Sequence, residues 1–291
     1  MDAQNTREII GIIGGSGLYS IEGLTGLQEK TLETPFGKPS DVYITGTLND
    51  TTVVFLPRHG RGHRISPSEI NFRANIYGMK LLGVSRIISV SAVGSMKEHI
   101  KPGDIVIPDQ FIDLTKQRTG TFFREGIVAH VSMADPVCPV LSDILFTAGT
   151  ENGIRMHKGG TYVCMEGPQF SSRAESLLYR QWGVDIIGMT NMPEAKLARE
   201  AEICYATLAL ATDYDCWYQG MKDVGVEDVV RIMSENVANA KKIITAAIPR
   251  IRGSRGCVCE HALKDSFLTA PGVIPKSVTT ALKPIIGRYI K

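Results

Sequence analysis

The chain has 291 residues, with 32 lysines and arginines against 30 aspartates and glutamates, so its formal net charge is +2. A charge this close to neutral gives no electrostatic reason to expect a nucleic acid or a membrane surface as the main partner. Hydrophobic residues make up 43% and charged residues 21% of the chain, which is ordinary for a globular protein and excludes a disordered or linker-like chain. We therefore expect a sizeable hydrophobic core.

The first residues do not resemble a targeting segment. The apolar stretch that begins at Ile9 is interrupted at Gly11, Gly14 and Gly15, unlike the apolar region of a signal peptide. Elsewhere no apolar run approaches the roughly 18 residues that span a bilayer. We therefore expect a soluble, cytoplasmic protein without a membrane partner.

Short β-branched segments alternate along the chain with longer segments of helical periodicity. We predict strands at 9–13, 41–46, 52–56, 86–91, 104–107, 160–165, 184–189 and 204–212. We predict helices at 67–83, 139–152, 172–182, 193–201, 226–250 and 275–288. Several strands are apolar on both faces, as in a sheet that helices cover. The pattern predicts an α/β fold in which helices flank a mixed, mostly parallel twisted β-sheet.

No internal repeat, low-complexity segment or linker divides the chain. We therefore predict a single domain over residues 1–291, with a core at 9–250. The segment between Gly253 and Gly256 is the nearest feature to a hinge, and a C-terminal helical segment is predicted at 253–291.

The six cysteines are too few and too scattered for the disulfide framework of a small secreted protein; they are Cys138, Cys164, Cys204, Cys216, Cys257 and Cys259. The segment Cys257-Val258-Cys259-Glu260-His261 has three open interpretations: a redox pair, one half of a metal site, or a segment with neither role. The sequence has no C-x-x-C and no second ligand cluster that would complete a zinc site. We therefore predict no metal site.

The first chemical motif follows the first predicted strand. In Ile12-Ile13-Gly14-Gly15-Ser16-Gly17-Leu18 a strand ends in a glycine-rich turn, which can present backbone N–H groups and the Ser16 hydroxyl to an anion. The segment lacks the third glycine of the dinucleotide fingerprint and the Gly-Lys-Ser/Thr end of the Walker motif. Because Leu18 replaces the last glycine, it is not a hydrolase elbow either. An anion site and a tight turn without a ligand both stay open.

The second and third motifs follow two further strands. One strand leads into Pro57-Arg58-His59-Gly60, and another leads into Ser91-Ala92-Val93-Gly94-Ser95. Ligands of open α/β sheets bind at such carboxyl ends of strands. The planar guanidinium of Arg58 matches phosphate oxygens and His59 offers a further donor, although a solvated charge cluster is the alternative. The small hydroxyl residues around Ser91 suit an oxyanion and equally suit packing.

Two more strand ends carry polar residues. At Gly188-Met189-Thr190-Asn191 a strand gives way to a helix, whose N-terminus favours an anion, and Met189 is either a core residue or a ligand contact. At Asp213-Tyr214-Asp215 two carboxylates two residues apart point to the same side of an extended segment. Because paired acids are costly to bury without partners, they form either an exposed turn or a pair that binds the polar edge of a flat heterocycle.

Five segments together resemble one protein family. They are Gly14-Gly15-Ser16-Gly17, Thr34-Pro35-Phe36-Gly37-Lys38-Pro39-Ser40, Arg58-His59-Gly60, Met165-Glu166-Gly167-Pro168-Gln169-Phe170-Ser171-Ser172-Arg173-Ala174-Glu175 and Ala211-Thr212-Asp213-Tyr214-Asp215-Cys216-Trp217. In this order they closely resemble the 5′-methylthioadenosine phosphorylases, within the trimeric purine nucleoside phosphorylase family. The resemblance runs from about Ile9 to Arg250, and residues 253–291 match less distinctively.

The resemblance implies a role for each strand end. The positions that hold phosphate in the family are Ser16, Arg58, His59, Ser91, Ala92 and Thr190. Those that hold the purine are Phe170, Ser171, Asp213 and Asp215, and Met189 lies beside the ribose. The 5′-methylthio pocket is implied at Val226, Val229 and His130, of which the histidine serves a neighbouring subunit. The family usually has threonine in place of Ser16 and Ser91, and a less polar residue than Asn191.

The activity that the resemblance implies is phosphorolysis, in which phosphate attacks ribose C1′ as the N-glycosidic bond breaks, giving adenine and 5-methylthioribose 1-phosphate for purine and methionine salvage. Inorganic phosphate is a co-substrate, and no metal or organic cofactor is implied. Asp213 is the general acid toward purine N7, which requires that burial and the nearby Asp215 keep its proton. The shared histidine implies a homotrimer, or a hexamer that is a dimer of trimers.

Four alternatives stay open. A broad-specificity purine nucleoside phosphorylase would take adenosine, and a methylthioinosine phosphorylase would take the 6-oxo nucleoside. A nucleosidase of the same fold would use water and need no phosphate clamp at Arg58. A non-catalytic nucleotide-binding or NAD-binding protein is supported only by the glycine-rich turn, without an acidic ribose partner at the expected spacing.

The resemblance also bears on the cysteines. Some thermophilic members of the family carry a C-x-C near the C-terminus and use disulfides. This implies pairing of Cys257 or Cys259 with each other, with Cys204 or with Cys138, whereas the thiols of cytosolic proteins are normally reduced.

Overall fold

The computed structural model describes residues 8–218, 226–251, 253 and 255–290, and for Ser16, Tyr19 and residues 226–230 it describes the backbone alone. The strands are β1 (Ile9–Gly14), β2 (Thr25–Lys30), β3 (Tyr43–Leu48), β4 (Thr51–Pro57), β5 (Arg86–Ser95), β6 (Ile105–Ile107), β7 (Gln110–Asp113), β8 (Met156–Lys158), β9 (Thr161–Cys164), β10 (Ile186–Gly188) and β11 (Cys204–Asp213). The helices are α1 (Phe72–Leu81), α2 (Pro139–Glu151), α3 (Arg173–Gln181), α4 (Asn191–Glu200), α5 (Val226–Ala247), α6 (Lys276–Ala281) and α7 (Lys283–Ile286).

These strands form one sheet in the order β2-β3-β4-β1-β5-β10-β9-β7, while β11 joins β5 to β6, and β6 pairs with β8. The central pairs β4–β1, β1–β5 and β5–β11 are parallel, as are β6–β8, β7–β9 and β9–β10. The pairs β2–β3, β3–β4, β5–β10 and β6–β11 are antiparallel. This mixed, mostly parallel sheet confirms the predicted fold class.

The sheet branches at β5. The first half of β5 pairs with β1 on one side and with β11 on the other, whereas Gly94 and Ser95 at its end pair with β10. Because β10 runs antiparallel to β5, its carboxyl end at Gly188 returns toward Ser91. The second half of β5 therefore lies beside the ends of β1, β10 and β11.

Alternating side chains on the central strands build a core on each face of the sheet. On β11, Tyr205 and Ala209 belong to one core cluster, and Ala206 and Leu208 belong to the other, as expected of strands that are buried on both faces. Helices α1 and α4 cover the first face together with the C-terminal residues Leu263, Ile285 and Ile286. Helices α2 and α5 cover the second face.

The predicted strands are all found, but β2, β7 and β8 were not predicted. β2 is exposed along its whole length, and β7 and β8 have only four and three residues. None of them is long and apolar enough to show the pattern that indicates a strand. The predicted helix at 67–83 begins only at Phe72, because Asn71 Oδ1 accepts a hydrogen bond from Ala74 N–H at 3.1 Å and caps α1. The predicted helix at 275–288 is divided at Leu282 into α6 and α7.

In the described part of the chain, no helix has the length and apolar composition that crossing a membrane requires.

Glu200, at the end of α4, makes the stability of the fold depend on pH. Its carboxylate accepts hydrogen bonds from Thr121 Oγ1 and Phe122 N–H, both at 2.7 Å, and the residue is 8% exposed. Burial nevertheless raises the pKa of Glu200 from 4.5 to about 7, because a buried carboxylate loses its hydration. Between these two pKa values the folded protein keeps a proton that the unfolded chain releases. The contribution to stability is therefore present below pH 4.5 and is lost as the pH rises through about 7.

We predict that Glu200→Gln raises the unfolding temperature clearly at pH 8 and much less at pH 5. The neutral amide avoids burying a carboxylate, and this difference amounts to about 3 kcal/mol at pH 8. Thermal unfolding followed by circular dichroism measures it, with Glu98→Gln, at an exposed position, as the control. The same shift at both pH values would contradict the raised pKa.

Candidate active site

A buried ion pair lies where β1, β4 and β5 meet α4. Arg58 Nε donates to Glu194 Oε2 at 2.8 Å and Arg58 Nη2 donates to Glu194 Oε1 at 3.0 Å, which makes the pair bidentate. The Arg58 side chain is 2% exposed and that of Glu194 is 0% exposed. Arg58 also donates to Val90 O at 3.0 Å, Ile13 O at 3.2 Å and Ser89 Oγ at 2.7 Å. The guanidinium thus connects α4 to the end of β1 and the middle of β5.

Glu194 is a residue of this site that the sequence analysis did not single out. Besides Arg58, it accepts hydrogen bonds from Ser89 Oγ at 3.0 Å and Tyr205 OH at 2.8 Å. The only signal in the sequence is an acid in the first turn of the helix after a strand end. Because Glu194 neutralises Arg58, the arginine borders the predicted phosphate site as half of a neutral pair, not as a free cation.

His59 is neutral at pH 7. Burial, assisted by the charge of Arg58, lowers the pKa of His59 to about 4. Its Nδ1 lies 2.9 Å from Ile65 O, and its ring stacks on that of His63 at 4.2 Å. A carbonyl oxygen only accepts, so we assign the ring proton to Nδ1. Nε2 of the neutral ring is then an acceptor, whereas the sequence analysis expected a donor.

Two predicted phosphate ligands meet beside the ion pair. Ser91 Oγ and Thr190 Oγ1 are 2.7 Å apart, and the two residues are 4% and 8% exposed. Both lie near Tyr162 OH, which is 3.4 Å from Ser91 Oγ and accepts from Thr190 N–H at 3.4 Å. They meet because β10 runs back along β5. Ala92, the next residue of β5, is exposed.

Asn191, which departs from the family pattern, is turned into the core. The residue is 0% exposed, and its Nδ2 donates to Thr207 Oγ1 at 2.5 Å. Its Oδ1 accepts from Thr190 Oγ1 at 3.3 Å. The amide therefore acts on the site through the orientation of the Thr190 hydroxyl.

The two predicted catalytic acids lie at the end of β11. Asp213 Oδ1 accepts from Asp215 N–H at 2.8 Å, and Asp213 Oδ2 accepts from Thr212 Oγ1 at 2.7 Å. Asp215 Oδ2 accepts from Ser176 Oγ in α3. Burial raises the pKa of Asp215 above its usual value, and the charge of Asp213 adds to the shift. The hydrogen bonds from Ser176 Oγ and Cys216 N–H oppose the shift only in part. Asp213 itself is exposed, so its expected burial is wrong, and Asp215 is half-buried.

The hydroxyl pair and the acid pair both lie beside β5. Asp213 pairs with Gly94 of β5, which is three residues beyond Ser91. A strand rises about 3.3 Å per residue, so Ser91 and Gly94 are roughly 10 Å apart. This is the separation along β5 between the predicted anion site at Ser91 and the two acids.

The loop that carries Phe170 and Ser171 is held by Arg118, a second residue that the sequence analysis missed. Arg118 Nε donates to Glu166 Oε1 at 3.0 Å, and its Nη1 donates to Met189 O at 2.7 Å. The arginine therefore joins this loop to the end of β10, where Met189 is half-buried. Ser171 is 9% exposed and Phe170 is 85% exposed.

The structure describes the remaining predicted site residues only in part. Ser16 lies in a 3-10 turn after β1, and Val226 and Val229 lie at the start of α5, but all three side chains are outside the described residues. His130 is exposed, and its backbone N–H donates to Ser266 O at 2.9 Å. Within the described ranges, no hydrogen bond or ion pair joins the His130 ring to the other site residues.

Comparison with known proteins identifies the family of this chain. Residues 9–249 match the model of the phosphorylase superfamily. A Geobacter sulfurreducens protein named S-methyl-5′-thioadenosine phosphorylase is 59% identical over 285 residues, which cover 98% of this chain and 100% of that protein.

Two solved structures are also similar. The methylthioadenosine phosphorylase sourced from an antarctic soil metagenomic library has a TM-score of 0.92 and 51% identity, covering 96% of this chain and 99% of that one. A mutant of the adenosine/methylthioadenosine phosphorylase from Schistosoma mansoni, in complex with methylthioadenosine, has a TM-score of 0.77 and 37% identity, covering 84% and 92%. The chain therefore belongs to the phosphorylase superfamily, within its family of methylthioadenosine phosphorylases.

Proposed function

We propose that this protein catalyses the phosphate-dependent cleavage of S-methyl-5′-thioadenosine to adenine and 5-methylthioribose 1-phosphate, a reaction of purine and methionine salvage. The observation that carries the proposal is that the Ser91–Thr190 hydroxyl pair and the Asp213–Asp215 acid pair both lie beside β5. The full-length similarity to relatives of that name supports it.

The first half of the proposed reaction is nucleophilic attack. Phosphate, held at Ser91 and Thr190 beside the Arg58–Glu194 pair, forms a bond to C1′ while the bond from C1′ to purine N9 breaks. The electron pair of that bond passes to the purine. Because Glu194 neutralises Arg58, the phosphate keeps most of its negative charge, which stabilises the developing sugar cation.

The second half is delivery of a proton to the leaving purine. We assign this step to Asp213, which bound purine would shield from water, and the proton goes to N7. Asp215 holds the base with Oδ1, because its Oδ2 already accepts from Ser176 Oγ. In this proposal neither a metal ion nor an organic cofactor takes part, and phosphate is a co-substrate.

The proposal includes a homotrimer, or a hexamer built from two trimers, of single-domain chains. Val128 and Leu268 are 46% and 66% exposed and lie near His130, since Leu268 N–H donates to Val128 O at 2.9 Å. Exposed apolar surface of this kind is typical of an interface. Covering it with a neighbouring subunit would bring His130 to the 5′ group of that subunit's substrate.

A second candidate function is the cleavage of adenosine, favoured by the Schistosoma mansoni relative, which is named an adenosine/methylthioadenosine phosphorylase. One assay separates the candidates: base release from methylthioadenosine, adenosine and inosine, each with and without phosphate. The proposal expects the fastest release from methylthioadenosine and none without phosphate. Full activity in phosphate-free buffer would identify a nucleosidase instead.

We predict that Arg58→Ala lowers kcat/KM for phosphate by about 30- to 1,000-fold, equivalent to about 2–4 kcal/mol of transition-state stabilisation. The single variant also leaves the buried Glu194 without its charged partner, which costs about 3–5 kcal/mol of folding free energy. The control is therefore the double variant Arg58→Met, Glu194→Gln, which removes both charges and whose fold circular dichroism verifies. If phosphate saturates the folded double variant as it does the wild type, Arg58 is not part of the phosphate site.

We predict at least tenfold preference for the 6-amino over the 6-oxo nucleoside at pH 8. An ionised Asp215 accepts from a 6-amino group but faces a 6-oxo group as acceptor against acceptor. An unmatched buried polar group costs about 1–3 kcal/mol, and more when one of the two groups is charged. Asp215→Asn supplies a donor and should narrow the gap between methylthioadenosine and methylthioinosine. Asp213→Asn should slow both substrates. A wild type that cleaves both nucleosides equally well would show that this assignment is wrong.

We predict that active sites are completed between subunits. His130→Ala should raise KM for methylthioadenosine and leave KM for phosphate nearly unchanged, because only the 5′ group is affected. Mixed oligomers of His130→Ala and Asp213→Asn chains should regain activity, since some of their sites combine an intact His130 with an intact Asp213. Light scattering after size exclusion gives the oligomeric state, and a fully active monomer would contradict the shared site.

A further inference from the structure

Four of the six cysteines form a buried cluster outside the proposed active site. The sulfur atoms of Cys138, Cys204, Cys257 and Cys259 all lie within 4.8 Å of one another, and Cys204 Sγ is 3.4 Å from Cys257 Sγ. Three of the residues are buried, Cys257 is half-buried, and all are free thiols. In the sequence, Cys257 and Cys259 have no second ligand pair beside them, which predicts that no metal binds there. The fold supplies that pair from two distant segments.

Separate elements of the fold hold the four thiols in place. Cys138 is the N-cap residue of α2, and Cys204 is the first residue of β11. These two segments are joined because Cys138 N–H donates to Tyr205 O at 2.9 Å. Cys257 and Cys259 belong to the C-terminal segment, at the 3-10 turn Val258–His261. The cluster is therefore the place where this segment meets the core.

The cluster has the size and the donor set of a tetrahedral metal site. Four thiolates bound to Zn²⁺ at about 2.3 Å lie about 3.8 Å from each other. This value falls between the shortest sulfur separation given above, 3.4 Å, and the limit of 4.8 Å that all pairs satisfy. A closed set of four thiolates is typical of structural zinc and also suits iron.

Positive groups face the cluster. Four thiolates around one divalent cation carry a double negative charge, which needs compensation in a buried place. Arg199 Nη1 donates toward Cys259 Sγ at 3.8 Å, and Arg199 is 7% exposed. Cys138 lies at the amino end of α2, where the helix dipole favours negative charge. Outer donors of this kind are typical of metal–thiolate sites, whereas paired disulfides would leave Arg199 facing uncharged sulfur.

We propose that Cys138, Cys204, Cys257 and Cys259 bind one Zn²⁺ ion in a structural four-thiolate site. Four Zn–S bonds form, the protons of the four thiols pass to solvent, and no atom is oxidised or reduced. The site fixes the C-terminal segment, whose residues Ser266 and Leu268 pair with the backbone of His130 and Val128. The metal thus stabilises the segment beside His130 and takes no part in the reaction.

The test uses the full chain without an affinity tag, produced with added Zn²⁺ and purified with a phosphine reductant. Elemental analysis should find about one zinc per chain, and six thiols should titrate after unfolding with a chelator. Cys257→Ser, at the half-buried position, should lose the zinc. Cys216→Ser, which alters a thiol outside the cluster, should retain it.

Two further measurements do not depend on activity. Co²⁺ in place of Zn²⁺ should give the intense visible absorption of a tetrahedral thiolate complex in the wild type and not in Cys257→Ser. Removal of the metal should lower the unfolding temperature of the wild type by about 5 °C or more and leave that of Cys257→Ser unchanged. Cys259→Ser is the second variant if Cys257→Ser does not fold.

Three results would overturn the proposal. Six free thiols without uptake of Zn²⁺ or Co²⁺ would show that the cluster is only a group of packed thiols. Four thiols missing from the titration before reduction would show two disulfides instead. Zinc that persists in folded Cys257→Ser and Cys259→Ser would place the metal elsewhere.

Discussion

The interaction on which the rest of the site depends is the buried pair of Arg58 and Glu194. Taking two charges out of water costs several kcal/mol for each ion, so such a pair persists only when its remaining donors and acceptors are also satisfied. Here Ser89, Val90 and Tyr205 provide those partners. The start of α4 is thereby locked against β5 and β11. Thr190, which precedes α4, consequently meets Ser91.

The same pair shapes the proposed chemistry. A free arginine would hold phosphate tightly and withdraw much of its charge, whereas an arginine neutralised by Glu194 leaves that charge to act on the sugar. A neutral His59, which can accept a hydrogen bond from a protonated phosphate oxygen, fits this weakly charged site. The preorganised donors are then matched to the charge that develops in the transition state, not to the charge of bound phosphate alone.

Because the sheet branches at β5, the same strands connect the proposed active site with the thiol cluster at the C-terminal segment. β5 carries the hydroxyl of Ser91 and pairs with the strand that ends at Asp213, and that strand begins at Cys204 in the thiol cluster. The C-terminal segment packs on the first core face and pairs with the backbone beside His130. A proposed metal site at Cys204 therefore stabilises parts of the structure that converge on the substrate, although it lies outside the site.

The sequence by itself determined the fold class and the strand ends that carry the site. Both depend on short stretches of sequence: the fold class on the period of apolar residues, and the strand ends on motifs such as Arg58-His59-Gly60. Only the strands β2, β7 and β8, which have a weak apolar pattern, were not predicted. Tertiary structure alone decided which residues become partners. Glu194 lies 136 positions from Arg58, and the four thiols of the cluster come from three segments. Only the structure shows that Asp213 is exposed and Asp215 half-buried. The physical reason is that periodicity shows which face of an element is buried, but not which residue of another element lies opposite.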